Sequence, residues 1–149
     1  MNRAIVWTLA AAGLTGLSGC TIIRTMAVAP VQKAFADQSK QTARAIQQVE
    51  GAIKQRSGVL SSLRSSGADL GKAPYPALRK QVSEAQKSVR GMRQAQQRIR
   101  RAGTRFRTLS RGRKKLRDDR PGYAKAKQQR DVLPVQHKLV KEHMSKAHS

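Results

Sequence analysis

One thiol (Cys20), three imidazoles (His137, His143 and His148) and eight carboxylates are the side chains here suited to nucleophilic attack, proton transfer or metal binding. Their spacing argues against a catalytic or metal constellation. The histidines follow one another at intervals of six and five, so no two share a helical face as a metal pair at i, i+4 would. They read as surface or tail residues. Glu50, Glu84 and Glu142 stand far apart, and Asp118-Asp119 reads as a turn before Pro121 or a counter-charge to its arginine neighbours. A single cysteine excludes an internal disulfide. No Ser-His-Asp or Cys-His grouping has a supporting framework, so neither an enzyme nor a bound metal or cofactor is expected.

The surroundings of Cys20 give that thiol a different role. Met1-Asn2-Arg3 is a short positive start, and Ala4 to Gly16 carries no charge. An apolar stretch of that length fits a signal peptide and falls short of the roughly 20 residues a helix needs to span a bilayer. Leu17-Ser18-Gly19-Cys20 follows directly. This tetrad resembles the lipobox of bacterial lipoproteins. Two small residues admit the backbone to an intramembrane peptidase, and only a thiol can accept a diacylglyceryl group as a thioether. The resemblance implies removal of residues 1–19 and lipid attachment, by acyl chains of the palmitate kind, at Cys20. Several acyl chains at about 0.8 kcal/mol per buried CH₂ anchor effectively permanently. In lipoproteins of two-membrane bacteria an Asp after the Cys usually signals inner-membrane retention. Thr21 stands there instead, so the resemblance implies the periplasmic face of the outer membrane.

The second feature able to do chemistry is positive charge. Lys and Arg number 31 against 8 Asp and Glu, for a net charge of +23. Lys87 to Arg117 is the extreme: Lys87, Arg90, Arg93, Arg98, Arg100, Arg101, Arg105, Arg107, Arg111, Arg113, Lys114, Lys115 and Arg117, with no acid among them. Like charges three and four apart on a helix repel by a few tenths of a kcal/mol per pair, and solubility does not require this clustering. A solvated basic face is the plain alternative. The functional reading is capture of an anion, because the arginine fork grips phosphate and carboxylate in bidentate fashion. From Arg90 onward these twelve residues are the candidate anion site.

The elements that must position these charges are helices. Hydrophobic residues are 38% and aromatics 3%, too few large side chains for a deep core, while Ala, Gln, Arg and Lys suit long exposed helices or disorder. Residues 20–29 read as a lipidated tether, able to reach about 30 Å when extended. Pro30 suits a first helical turn, and Val31, Phe35, Gln38, Thr42, Ile46, Val49, Ile53, Arg56, Leu60 and Leu63 then recur by threes and fours. Residues 65–76 carry the clearest breaker. Leu78, Val82, Ala85, Val89, Met92, Gln96, Ile99, Gly103, Phe106 and Leu109 form a second stripe, expected to run on toward Leu116. Leu63 pairs with Leu78, Ile53 with Val89, Val49 with Met92, Thr42 with Ile99 and Phe35 with Phe106 at a nearly constant sum of residue numbers. A long antiparallel helical hairpin of coiled-coil type has that property. In this register Gln38 faces Gly103. The expected fold is all-α, with the hairpin at 30–120 and a basic segment at 121–149, either a short helix from Pro134 or loose.

A bare hairpin of this kind buries little and needs support from the third segment, self-association or a partner. The expected function is a structural or adaptor role in the envelope, the basic surface binding an anionic polymer, a lipid or an acidic protein. Nucleic-acid handling during uptake or conjugation, and an accessory place in a secretion or conjugation apparatus, are the alternatives. High pI favours nucleic acid, but few aromatics are present to stack on bases.

Overall fold

The computed structural model describes residues 24–148. A short strand, β1 (Thr25–Ala27), leads directly into α1 (Val28–Ser65). Next come α2 (Tyr75–Leu109), a second strand β2 (Lys115–Arg117), α3 (Tyr123–Arg130) and α4 (Val132–His148). The fold is all-α apart from this one ribbon. At 38 and 35 residues, α1 and α2 are each more than 50 Å long at about 1.5 Å per residue. No helix among the described residues is long and apolar enough to cross a membrane.

The hairpin register read from the sequence is present. Phe35 and Phe106 meet with ring centroids 5.8 Å apart. Gln32 Nε2 donates to Ser110 Oγ at 3.4 Å one turn nearer the ribbon. Val49, Ile53, Val89 and Met92 share one apolar cluster further along. The turn at 66–74 is fixed locally: Gly67 takes a left-handed φ of 73° and Asp69 Oδ1 accepts the Gly71 N–H at 2.9 Å. One pairing differs. Phe35 covers Gly103, where a Cβ would lie 3.2 Å from the ring, and Gln38 turns away to donate to the Leu133 carbonyl at 2.9 Å. A glycine leaves its space to the nearest large apolar side chain, whereas the amide goes where a carbonyl is free.

Three boundaries also differ from expectation. The second helix stops at Leu109 rather than running on toward Leu116. There the Ser110 hydroxyl donates to the Phe106 carbonyl at 2.8 Å, and Gly112 adopts φ 71°, a conformation that ends a helix. The stretch 20–29 is not a tether throughout. From Thr25 it pairs with β2, Met26 opposite Leu116, because Met26, Val28 and Leu116 bury together at 5%, 5% and 2% exposure. Past the turn at Pro121-Gly122 the chain forms two helices separated at Asp131, and the last begins at Val132, two residues ahead of Pro134. Pro134 therefore sits in the first turn, where its missing N–H costs nothing.

Support for the hairpin comes from α3 and α4. Val132 and Leu133 pack on the cluster at the ribbon end, around Phe35, Ile99, Phe106 and Ala126. Val140, Met144 and Ala147 join the other cluster with Ile46, Val89 and Ala95. The last helix thus runs antiparallel to α2, which has helices on two sides. Beyond it the hairpin tip is thinly covered, with Leu60, Leu63 and Leu78 half-buried and Val59 and Leu70 exposed.

Candidate anion-binding surface

The geometry of α2 decides where its cations point. Val82, Ala85, Val89, Met92, Ile99 and Phe106 are buried on one side of the helix. Ser88, Ala95 and Ala102 are buried on the adjoining side, with Gly91 half-buried between them. At about 100° per residue these positions occupy roughly half the circumference. Arg90, Arg93, Arg98, Arg100, Arg101, Arg105 and Arg107 are all exposed on what remains. The charge is therefore confined to an outward-facing shaft. The single apolar seam read from the sequence leaves out this second stripe of small residues. The signal was present: Ser88, Gly91, Ala95 and Ala102 recur at helical spacing and let another helix approach closely.

The remaining candidates leave the helix. Arg111, Arg113 and Lys114 lie on the turn around Gly112, and Lys115 and Arg117 flank buried Leu116 on β2, all five exposed. The site accordingly has two parts, a shaft along α2 and a pole where the chain enters the fold. The pole is bound to the entry point by main-chain hydrogen bonds: Val28 N–H to the Lys114 carbonyl at 3.1 Å, and Asp118 N–H to the Arg24 carbonyl at 3.0 Å. The Arg24 N–H in turn donates to Asp118 Oδ2 at 3.0 Å. Cys20 lies outside the described residues.

Some of these cations already have partners. Arg93 pairs with Glu50 across the hairpin. Arg100 Nε donates to Ser39 Oγ at 3.3 Å. Arg117 grips Asp119 through two bonds of 3.1 and 3.0 Å, so Asp119 is a counter-charge and Asp118 belongs to a turn. Exposed pairs of this kind are worth at most about 1 kcal/mol and yield readily to a stronger ligand. Among the described residues, no carboxylate lies within 4 Å of Arg90, Arg98, Arg101, Arg105, Arg107, Arg111, Arg113, Lys114 or Lys115. At the pole, Arg107, Arg111, Arg113 and Lys114 rim a groove of about 860 Å³ whose floor includes Val28 and Ser110. Cations are favoured beside the C-terminus of α2, which carries roughly half a negative charge.

His148 is exposed at the end of α4, as a surface or tail residue should be, but the other two histidines are more built-in. His137 and His143 are half-buried, and the His143 ring lies against Gly91 where a Cβ would collide with it. Burial, with Lys141 nearby, holds the His137 imidazole below its ordinary value. Lys87, which sequence reading placed in the basic run, is paired with Glu84 at 2.8 Å and holds that carboxylate below its usual range. Among the described residues no group of three or more His, Cys, Asp or Glu is placed to hold a metal ion.

The chain matches no protein-family model, no curated protein and no solved structure.

Proposed function

We propose that this is a lipid-anchored envelope protein, held by Cys20 and displaying a basic helical surface that binds an anionic component of the envelope. The anchor rests on the likeness of Leu17-Ser18-Gly19-Cys20 to a lipobox. The role of the surface rests on one observation above all. Nine exposed cations from Arg90 to Lys115 stand without a carboxylate partner within 4 Å among the described residues, concentrated on one helix and the turn after it. Mutual repulsion of that kind is relieved by an anion. The protein is then a structural or adaptor element on the periplasmic face of the outer membrane, without catalytic activity of its own.

Two arms test this. Mass spectrometry of the mature protein is expected to show a new N-terminus at Cys20 carrying acyl chains; an intact Met1 and a free thiol would return the chain to the cytosol. Pulldown with peptidoglycan and with lipopolysaccharide over a salt series is expected to show retention at low salt that falls as salt rises. No retention on either rejects the envelope ligand. A gel shift in the same series decides the nucleic-acid alternative. Phe35 and Phe106 are buried and Tyr75 and Tyr123 half-buried, which leaves no exposed aromatic among the described residues to stack on unpaired bases.

A further inference from the structure

We infer that the pole of the basic surface (Arg107, Arg111, Arg113, Lys114 and Lys115) docks on the anionic lipid headgroups beneath it. This rests on the anchored reading above. The antiparallel pairing of Thr25–Ala27 with Lys115–Arg117 puts the chain's entry point and these cations at the same end of the molecule. The described fold opens at Arg24, whose backbone N–H and carbonyl both bond Asp118, so only residues 21–23 stand between Cys20 and it. Such a link reaches at most about 15 Å. The interfacial zone on each side of a bilayer is roughly 5–8 Å thick, so an anchored chain holds the pole within reach of headgroup phosphates. The shaft residues Arg90 to Arg105 point sideways from a helix of 35 residues, and those furthest along it are carried away from the surface.

The chemistry of the pole suits a phosphate-bearing surface. Its cations flank a groove and a turn and do not line an enclosed pocket, so they meet several headgroups at once. Buried Leu116 at 2% and Met26 at 5% pin β2 to β1 and leave Lys115 exposed on the same ribbon. Each basic residue beside an anionic surface raises partitioning about fivefold, and three acting together raise it about a hundredfold.

The test uses the full-length protein purified from membranes and mixed with vesicles of phosphatidylcholine alone or with added phosphatidylglycerol. Two readouts are taken: flotation with the vesicles, and the rate of tryptic cleavage after Arg111, Arg113, Lys114 and Lys115. The expected result is flotation with both vesicles, and protection of those bonds only with phosphatidylglycerol, reversed by high salt. Arg111→Gln/Arg113→Gln/Lys114→Gln is expected to lose the protection still scorable at Lys115, whereas Arg98→Gln/Arg101→Gln/Arg105→Gln keeps it. Equal cleavage with both vesicles, or loss in the shaft variant alone, overturns the inference while flotation leaves the anchor standing. Protection by inorganic phosphate in the absence of phosphatidylglycerol also overturns it, in favour of a free-anion site. Failure to float with phosphatidylcholine removes the anchor; flotation restricted to phosphatidylglycerol then supports the pole by itself, and flotation with neither ends both readings.

Discussion

At the scale of single residues, glycines and half-buried histidines carry the sharpest consequences. Gly51 lies in α1 with nothing within 4 Å of where its Cβ would stand, whereas a Cβ on Gly103 would press on the root of the Phe35 side chain at 3.2–3.4 Å. Alanine gains about 1 kcal/mol over glycine in a helix interior. Gly51→Ala is therefore expected to raise stability by about that amount in urea melts. Gly103→Ala is expected to lower it by about 1 kcal/mol, because Phe35 is held against Phe106 and overpacking costs about 1–3 kcal/mol. His137 supplies a pH dependence. Its folded-state value lies below the ordinary 6.5 because burial disfavours the charged ring and Lys141 adds repulsion. The unfolded chain then binds a proton first as pH falls, so stability is full above about 6.5 and declines as pH drops toward the lowered value. Urea midpoints measured across that window should fall in the native protein and fall less in His137→Gln; parallel curves would refute the assignment.

At the scale of elements, α4 is what makes the long hairpin stable. It covers the second face of α2, where Ser88 and Ala95 are buried at 3% and 2% exposure. A chain ending at Asp131 exposes that face and leaves a two-helix pair of the marginal kind. Loss of cooperative thermal unfolding, followed by circular dichroism, is the expected outcome; an unchanged melt would mean α4 contributes nothing. One defect in this interface can be improved. Gln136 is 5% exposed and its Oε1 has no hydrogen-bond partner among the described residues. An unsatisfied buried polar atom costs about 1–3 kcal/mol, so Gln136→Met, close in volume, is expected to stabilise by about 1 kcal/mol or more in the same melts.

At the scale of the whole molecule, a net charge of +23 sets the response to salt. The ion pairs that Asp69, Glu84, Glu50, Asp119 and Asp131 make are all solvent-accessible, and most of the remaining positive charge faces like charge across water. Raising ionic strength from about 0.01 M to 0.15 M shortens the screening length from roughly 30 to 8 Å. Tm is expected to rise over that range, and to rise further with a polyanion at fixed ionic strength as bound anion neutralises the surface. A Tm that is flat or falls with salt would show that repulsion is not a significant term in this fold.

The amino-acid pattern by itself determined the helical class, the turn at 66–74 and the register of the hairpin. Those depend on apolar spacing and on local breakers, which are written residue by residue: Phe35 finds Phe106 because no other register buries both stripes. It also located the charge, since composition needs no fold. Tertiary structure decided which way the charge faces and what the first described strand pairs with. Met26, Val28 and Leu116 are single apolar residues with no periodicity around them, and only their burial together shows that β1 and β2 pair and draw the entry point to the cationic pole. The small residues Ser88, Gly91, Ala95 and Ala102 likewise had no hydrophobic signature, because close helix contact selects for size rather than for apolar area. Contacts among few or small side chains leave no hydrophobic period in a sequence, only a recurrence of small residues, and here they settle which half of α2 stays exposed.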